Sequence, residues 1–416
     1  MRIVKLTPRI EKWLLARRAR QDDKAQSVAA DIVADVRKRG DAALFAWTKK
    51  LDPFNLAREG VWISKKEIGS AVRHTSPAFL NAIKRAAKNV RSVAEKQLPR
   101  PWSFESEPGV RISQRISPIE SIGCYIPGGN FSLVSTLIMT AVPAQVAGVS
   151  RVIAVCPGPN PQLLAVAGLL GIAEIARIGG AQAIAALAYG TNSIPRVDKI
   201  FGPGNKYVTA AKQLVSSDCA IDLPAGPTEA IVLAAEGNAR WIAADLLAQA
   251  EHAKDAASFF VTTSRSLARE VQREIKWQLG ELPFGAANFS TKFAGTILLA
   301  DSLEQACEFV NRFAPEHLSL PENADKLLRK INSAGTVFIG PWGAQPLGDY
   351  ATGSNHVLPT GGWARMRGGL SAADFVKCIS VQTIARKGFL RLADTVEILA
   401  ESEGLMAHRN AVRVRR

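Results

Sequence analysis

From Gly123 onward the chain repeats one pattern: a short apolar run, a turn rich in glycine or proline, then a helical stretch. Residues 151–156 close on Pro157-Gly158-Pro159, residues 174–178 on Gly179-Gly180, and residues 197–201 on GPGN. Residues 219–223 close on PAGPTE. Helical periodicity fills the intervals at 133–147, 163–170, 181–189 and 207–214. The pattern resumes after Glu229, with strand-like runs at 230–236, 258–262, 295–299 and 336–339 and helical ones at 241–252, 266–279 and 303–312. Strands alternating with helices predict an α/β fold whose parallel sheets are covered by helices on both faces. Ligands are then expected at the carboxyl ends of the strands. Helical patterning also covers 22–50 and 64–97, while 110–116 and 377–384 alternate like strands. A last helix is expected near 396–407, and no internal repeat stands out.

The length of 416 residues predicts two or three domains rather than one. A net charge of +15 raises the question of nucleic acid, but the surplus sits at the ends, in Arg17, Arg18, Arg20 and the terminal AVRVRR. There is no zinc-finger spacing and no basic-aromatic ribbon, so no nucleic-acid partner is expected. The most apolar stretch, 133–156, is broken by Pro143, Gln145 and Arg151, which argues against a membrane span. The five cysteines form no CxxC pair, and the N-terminus has no apolar core of signal-peptide length. Both point to a reducing, cytoplasmic setting.

Polar residues stand out in three places. In the helical run ending LLAQAEH, Asp245, Gln249 and His252 fall within about 60° of one another around the axis. That is a wetted stripe or half of a metal site, since a histidine three residues after a side-chain oxygen can converge on one ion. In APEHL, Pro315 favours a helix start that would let Glu316 and His317 face one substrate. A carboxylate beside an imidazole suits proton transfer; a solvated helix cap is the bland alternative. In GDYATGSNHVLPTGG, His356 follows Asp349 by seven residues. The glycine turns YIPGG, IGGAQA and FGPGNKY expose backbone amides that can hold a phosphate, or simply join strand to helix. Cys124 could add to an aldehyde, but it has no visible base and is expected to be a packing residue.

The motifs CYIPGG, IGGAQAIAALAYGT, VDKIFGPGNKYVTAAK, DLPAGPTE, LLAQAEH, APEHL, LGDYATGSNHVLPTGG and ESEGLMAHRNAVR follow one another over most of the chain. In order and spacing the sequence resembles the histidinol dehydrogenase family from about Asp22 to its last residues. The resemblance implies two incomplete Rossmann-like domains with short helical arms at both termini. It implies an N-terminal arm over 1–20, a large domain built from 21–124 and 229–370, an inserted NAD domain over 125–228, and a C-terminal dimerisation arm over 371–416.

Carried over residue by residue, the resemblance implies one zinc per subunit on Gln249, His252, Asp349 and His408. It implies an acid-base pair of Glu316 and His317. Substrate contacts would come from Thr228, His356 and Glu403 together with the zinc ligands and His317, and NAD contacts from Tyr125, Gln182 and Asn205. It implies a homodimer with shared active sites, in which the arm carrying Glu403 and His408 reaches the partner's site. The implied reaction is oxidation of histidinol, through its aldehyde, to histidine with two NAD⁺. Thr228 stands where the family usually has serine, and AKDAAS follows QAEH where it commonly has a Gly-Pro turn. With the high positive charge, these departures keep open a relative that oxidises another small polar alcohol, such as a sulfonated diol.

Overall fold

The computed structural model describes residues 1–18, 22–52, 55–128, 133–224, 226–252, 254–283, 285, 295–322 and 324–416. The chain opens with β1 (Arg2–Lys5), and β2 (Trp102–Glu107) and β3 (Val110–Pro118) follow after a helical region. The first strand–helix series supplies β4 (Ser121–Tyr125), β5 (Arg151–Val155), β6 (Glu174–Ala176), β7 (Lys199–Phe201) and β8 (Ala220–Ile221). The second supplies β9 (Glu229–Leu233), β10 (Ala257–Thr262), β11 (Thr296–Leu299), β12 (His317–Leu320) and β13 (Thr336–Ile339). β14 (Val376–Ile384) precedes the two closing helices, Arg386–Ser402 and Met406–Arg413.

Two parallel sheets result, as the alternation predicted. One runs β6-β5-β4-β7-β8 and the other β1-β11-β10-β9-β12-β13. Counted within its own series, each has its strands in the order 3-2-1-4-5, the doubly wound arrangement. The fold therefore contains the same wound sheet twice, a repeat that no sequence period reveals. Strands such as EAIVL are buried along their whole length because helices cover both faces, so they read as continuous apolar runs.

Three boundaries differ from the expectation. β1 is not part of a detached arm: it pairs with β11 at the edge of the six-stranded sheet, Arg2 opposite Thr296, and Leu14 of the following helix joins that sheet's core. Helices Asp23–Arg39 and Asp41–Leu51 pack with Val155, Ile184 and Ile200 of the five-stranded unit. Helices Lys65–His74 and Pro77–Gln97 pack on its other side with Leu137 and Leu163. Residues 23–97 thus pack with the five-stranded sheet rather than with 229–370. Helical periodicity shows that one face is buried; it does not say against which sheet. The third sheet, antiparallel β14-β3-β2, pairs Val376 with Pro118 through Ile384 with Val110, tying the C-terminal arm back to the middle of the chain. Among the described residues no helix is long and apolar enough to cross a membrane.

Candidate active site

The buried polar groups gather at the amino-terminal ends of β9 and β12, opposite to the end expected for this sheet. His317 is the first residue of β12 and pairs with Ala230 of β9. The anticipated helix start at Pro315 is instead the entry to a strand. HLSL is buried on both faces between β9 and β13, and Ala314, with φ of 49°, turns the chain out of helix Leu303–Phe313.

Glu316 Oε2 lies 3.7 Å from His317 Nδ1 and accepts the Glu229 main-chain N–H at 3.1 Å. Burial pushes the Glu316 carboxyl up to about 7, against the opposing pull of His317. Burial disfavours charge on His317, but Glu316 and then Asp349 outweigh it, and its pKa rises. His317 Nε2 faces Asp349 Oδ1 at 3.5 Å. Asp349 is held below the usual carboxylate range despite its burial, chiefly by the facing His317.

Helix Ala239–Ala250 descends from β9 and delivers Gln249 and His252 to this end of the sheet. Gln249 is fully buried; its Nε2 donates to Asp349 Oδ2 at 3.3 Å, and its Oε1 has no hydrogen-bond partner. His252, one turn on, has an exposed residue surface, yet protein crowds its ring enough to lower its pKa. His356 donates from Nδ1 to the Asp349 carbonyl at 2.8 Å, which leaves Nε2 facing the Thr136 hydroxyl at 3.4 Å. Burial keeps this imidazole neutral at lower pH than usual. Thr228 immediately precedes β9, and its carbonyl accepts from Ala257 at 2.8 Å.

The structure therefore gathers Thr228, Gln249, His252, Glu316, His317, Asp349 and His356 at one end of the sheet. Glu403 and His408 lie elsewhere, exposed on the C-terminal helices. Among the described residues no three His, Cys, Asp or Glu side chains are gathered as a metal cage. Asp245 also departs from its face-mates. It lines a shallow crevice with Trp241, Ser319 and Glu322, near the carboxyl ends of β12 and β13, and its carboxylate accepts from the Gln345 main chain.

The five-stranded sheet keeps its polar residues at the carboxyl ends. Tyr125 ends β4 and accepts the Gly180 N–H on its hydroxyl at 3.1 Å. Gln182 is buried, its Nε2 directed at Asp52 and its Oε1 unpartnered. Asn205 caps helix Lys206–Val215, accepting from Tyr207 and Val208, so its side-chain oxygen already has a structural task. β4 and β7 are neighbours whose helices wind to opposite sides, the switch point of a doubly wound sheet. Gly202, after β7, sits at φ of 110°, and a methyl group there would collide with the Tyr125 carbonyl. Cys124 is buried and its thiol is pushed up to about 12, which fits packing rather than nucleophilic work.

Sequence reasoning missed two buried ion pairs. Arg18 pairs with Glu229, and Lys212 with Asp222, all four side chains under a tenth exposed. Nothing local marks them: Arg18 sits in a basic run, and the other three are single charges inside apolar context.

A family model described as histidinol dehydrogenase matches residues 15–416. The histidinol dehydrogenase of Methanosarcina barkeri is 44% identical over 411 residues, covering 97% of this chain and 94% of the relative. That of Aquifex aeolicus is 42% identical, covering 99% and 97%, and that of Shewanella oneidensis is 45% identical, covering 94% and 92%. The crystal structure of histidinol dehydrogenase from Elizabethkingia anophelis superposes with a TM-score of 0.94 at 38% identity, covering all of this chain and 98% of that one.

Proposed function

The chain belongs to the histidinol dehydrogenase family of NAD-dependent oxidoreductases, and on that premise we propose how its residues divide the work. Turning the alcohol into a carboxylate removes two hydrides and adds one water. Two acid-base tasks follow: a proton must leave the alcohol, and a proton must leave the water that attacks the aldehyde. The observation that carries the assignment is the buried pair Glu316 and His317 beside Asp349.

His317 takes the alcohol proton at Nε2, the nitrogen turned toward Asp349, while the Glu316 carboxylate on the Nδ1 side stabilises the imidazolium formed. Glu316, its carboxyl near neutrality, then accepts a proton from the attacking water. The water oxygen bonds to the aldehyde carbon, and loss of a second hydride from that carbon yields the acid. Bound NAD would supply the hydride acceptor for each oxidation. Tyr125, Gln182 and the Asn205 turn, at the β4/β7 switch point, are proposed to hold it, and the unpartnered Gln182 Oε1 is an acceptor suited to a ribose or amide donor.

The same residues fit a zinc ion. Gln249 Oε1 is buried without a partner, burial favours a neutral His252 with a lone pair free to ligate, and Asp349 keeps its charge. Zinc on Gln249, His252, Asp349 and a partner's His408 would ease loss of the alcohol proton and orient the reacting carbon. Thr228, His356 and Glu403 are proposed to hold the substrate beside it. We take the enzyme to be a homodimer. Ile379, Val381 and Ile384 on β14 and Ile398 and Leu399 on the next helix are exposed, and Glu403 and His408 stand apart from their own chain's cluster. A cytoplasmic setting suits its five free cysteines. Oxidation of another small polar alcohol finds no support, since the relatives above are all named for histidinol.

Glu316→Gln tests the division of labour. It is expected to release the first hydride from histidinol and to stall on supplied histidinal; equal loss in both half-reactions would contradict it.

A further inference from the structure

Arg18 ends the N-terminal helix Pro8–Arg18 and reaches beneath the acid-base pair. Its Nε and Nη2 donate to the two carboxylate oxygens of Glu229 in a bidentate pair. Nη2 also donates to the Ala314 carbonyl at 2.9 Å, and the guanidinium lies 4.1 Å from the centre of the Phe313 ring. The pair is buried, with side-chain exposures of 8% and 6%.

Both groups that Arg18 grips lead to Glu316. Ala314 is the one non-glycine at positive φ among the described residues, and it stands two positions before Glu316. A left-handed alanine costs on the order of 1–2 kcal/mol and persists only when its surroundings impose it. Arg18 binds its carbonyl. On the other side, Glu229 opens β9, and its main-chain N–H donates to Glu316 Oε2 at 3.1 Å. The Gly361 N–H, at 3.3 Å, is the further donor to the Glu229 carboxylate. One guanidinium thus spans the turn that delivers Glu316 and the strand start that holds its carboxylate. It also neutralises Glu229, whose buried charge would otherwise push against that of Glu316.

We propose that Arg18 is a positioning residue for the aldehyde step, fixing the carboxylate of Glu316 against the attacking water through Glu229 and Ala314. The proposal rests on the reading of Glu316 as the water-activating base. Arg18 touches neither substrate nor cofactor, and it comes from a segment whose surplus charge looked unspecific in the sequence.

The test compares Arg18→Ala, Arg18→Lys and Glu316→Gln in the full-length, metal-loaded enzyme. The first hydride is followed as the burst of NADH from histidinol, and the second as turnover of supplied histidinal with NAD. A misplaced catalytic group costs on the order of 10- to 100-fold, so in Arg18→Ala the histidinal rate should fall at least about tenfold further than the burst rate. Millimolar guanidinium should restore the ratio of the two rates in Arg18→Ala and leave Glu316→Gln unchanged. Arg18→Lys keeps the charge but cannot span both acceptors, so it should show the same split without rescue, and it carries the test if the alanine variant does not fold. Equal loss in both steps, or no loss, in either Arg18 variant overturns the proposal while Glu316→Gln still splits them. If Glu316→Gln itself spares the histidinal step, the underlying reading fails instead.

Discussion

Replacing Lys212 by methionine should loosen the turn proposed to meet NAD. Lys212 and Asp222 form an ion pair with side-chain exposures of 2% and 0%. Between them they bracket Gly202: Lys212 Nζ donates to the Gly202 carbonyl at 2.9 Å, and the Gly202 N–H donates to Asp222 at 2.8 Å. Methionine keeps the unbranched apolar stem and removes the ammonium with its three donors. Asp222 then keeps the amides of Gly202 and Leu223 but loses its cation in a buried site. Breaking a buried pair costs about 3–5 kcal/mol, and the two surviving amide bonds place this case near 3 kcal/mol. At roughly 2–4 °C per kcal/mol for a domain of this size, the thermal midpoint should fall by about 6–12 °C. The Gly202 carbonyl also loses its partner, so the KM for NAD should rise by about tenfold, the equivalent of about 1.4 kcal/mol, with little change in the KM for histidinol. Thermal unfolding and steady-state kinetics on one preparation give both numbers. A variant within 1 kcal/mol of the parent, by the yardstick of additive surface changes, and with an unaltered NAD KM would refute the assignment.

Three more outcomes follow from the same geometry. Burial raises the Asp245 carboxyl from 3.8 to about 6, so its charge costs stability that is lost as pH rises from about 4 to 6; Asp245→Asn should gain about 1–2 kcal/mol at pH 8 after discounting for partial exposure and almost nothing at pH 4, and an unmoved urea midpoint at pH 8 would sink the idea. Because Glu316 titrates near 7 and must be ionised to accept a proton, histidinal turnover should climb with pH through that value, and a flat profile across it would count against the base assignment. Mixing Glu316→Gln and His408→Ala subunits, with turnover of supplied histidinal as the readout, should revive about a quarter of the sites if His408 serves the partner, since half the dimers are mixed and each has one intact site; no revival would mean His408 acts within its own chain.

The sheets and nearly every crossover helix were legible because a strand buried on both faces, closed by glycine, has few other readings. The winding order was not. Helix Asp23–Arg39 shows an apolar stripe at Ala29, Ile32 and Val36, but nothing in that stripe names Val155 and Ile184 as its partners. Glu316 and His317 were legible as a pair and misread in backbone, because Pro315 signals a helix start in isolation and only the flanking β9 and β13 make HLSL a strand. Asp245 was grouped with Gln249 and His252 by angle alone. Position along the axis separates them, since the helix spans the sheet from its carboxyl edge, where Asp245 meets the crevice, to its amino edge. Arg18 and Lys212 depend on contacts made across 211 and 10 positions respectively, and a single sequence shows neither.

The two wound sheets share one topology and gather the candidate site residues at opposite ends of it. The five-stranded sheet presents its carboxyl end, where Tyr125 and Gly202 meet at the switch point. The six-stranded sheet presents its amino end, where His317 and Glu316 begin β12. Its own carboxyl crevice is small and lined by Trp241, Asp245 and Glu322. The reason lies in how the units face each other. Thr136, in the first turn of the helix after β4, meets the His356 imidazole at 3.4 Å, and His356 in turn holds the Asp349 carbonyl. The carboxyl end of one sheet therefore abuts the amino end of the other. A cofactor at the first switch point would extend toward the acid-base pair, whereas one at the second would point away from it. Duplicating the wound sheet need not duplicate the binding site: the first switch point faces the proposed acid-base pair, and the other is free to close around packing side chains.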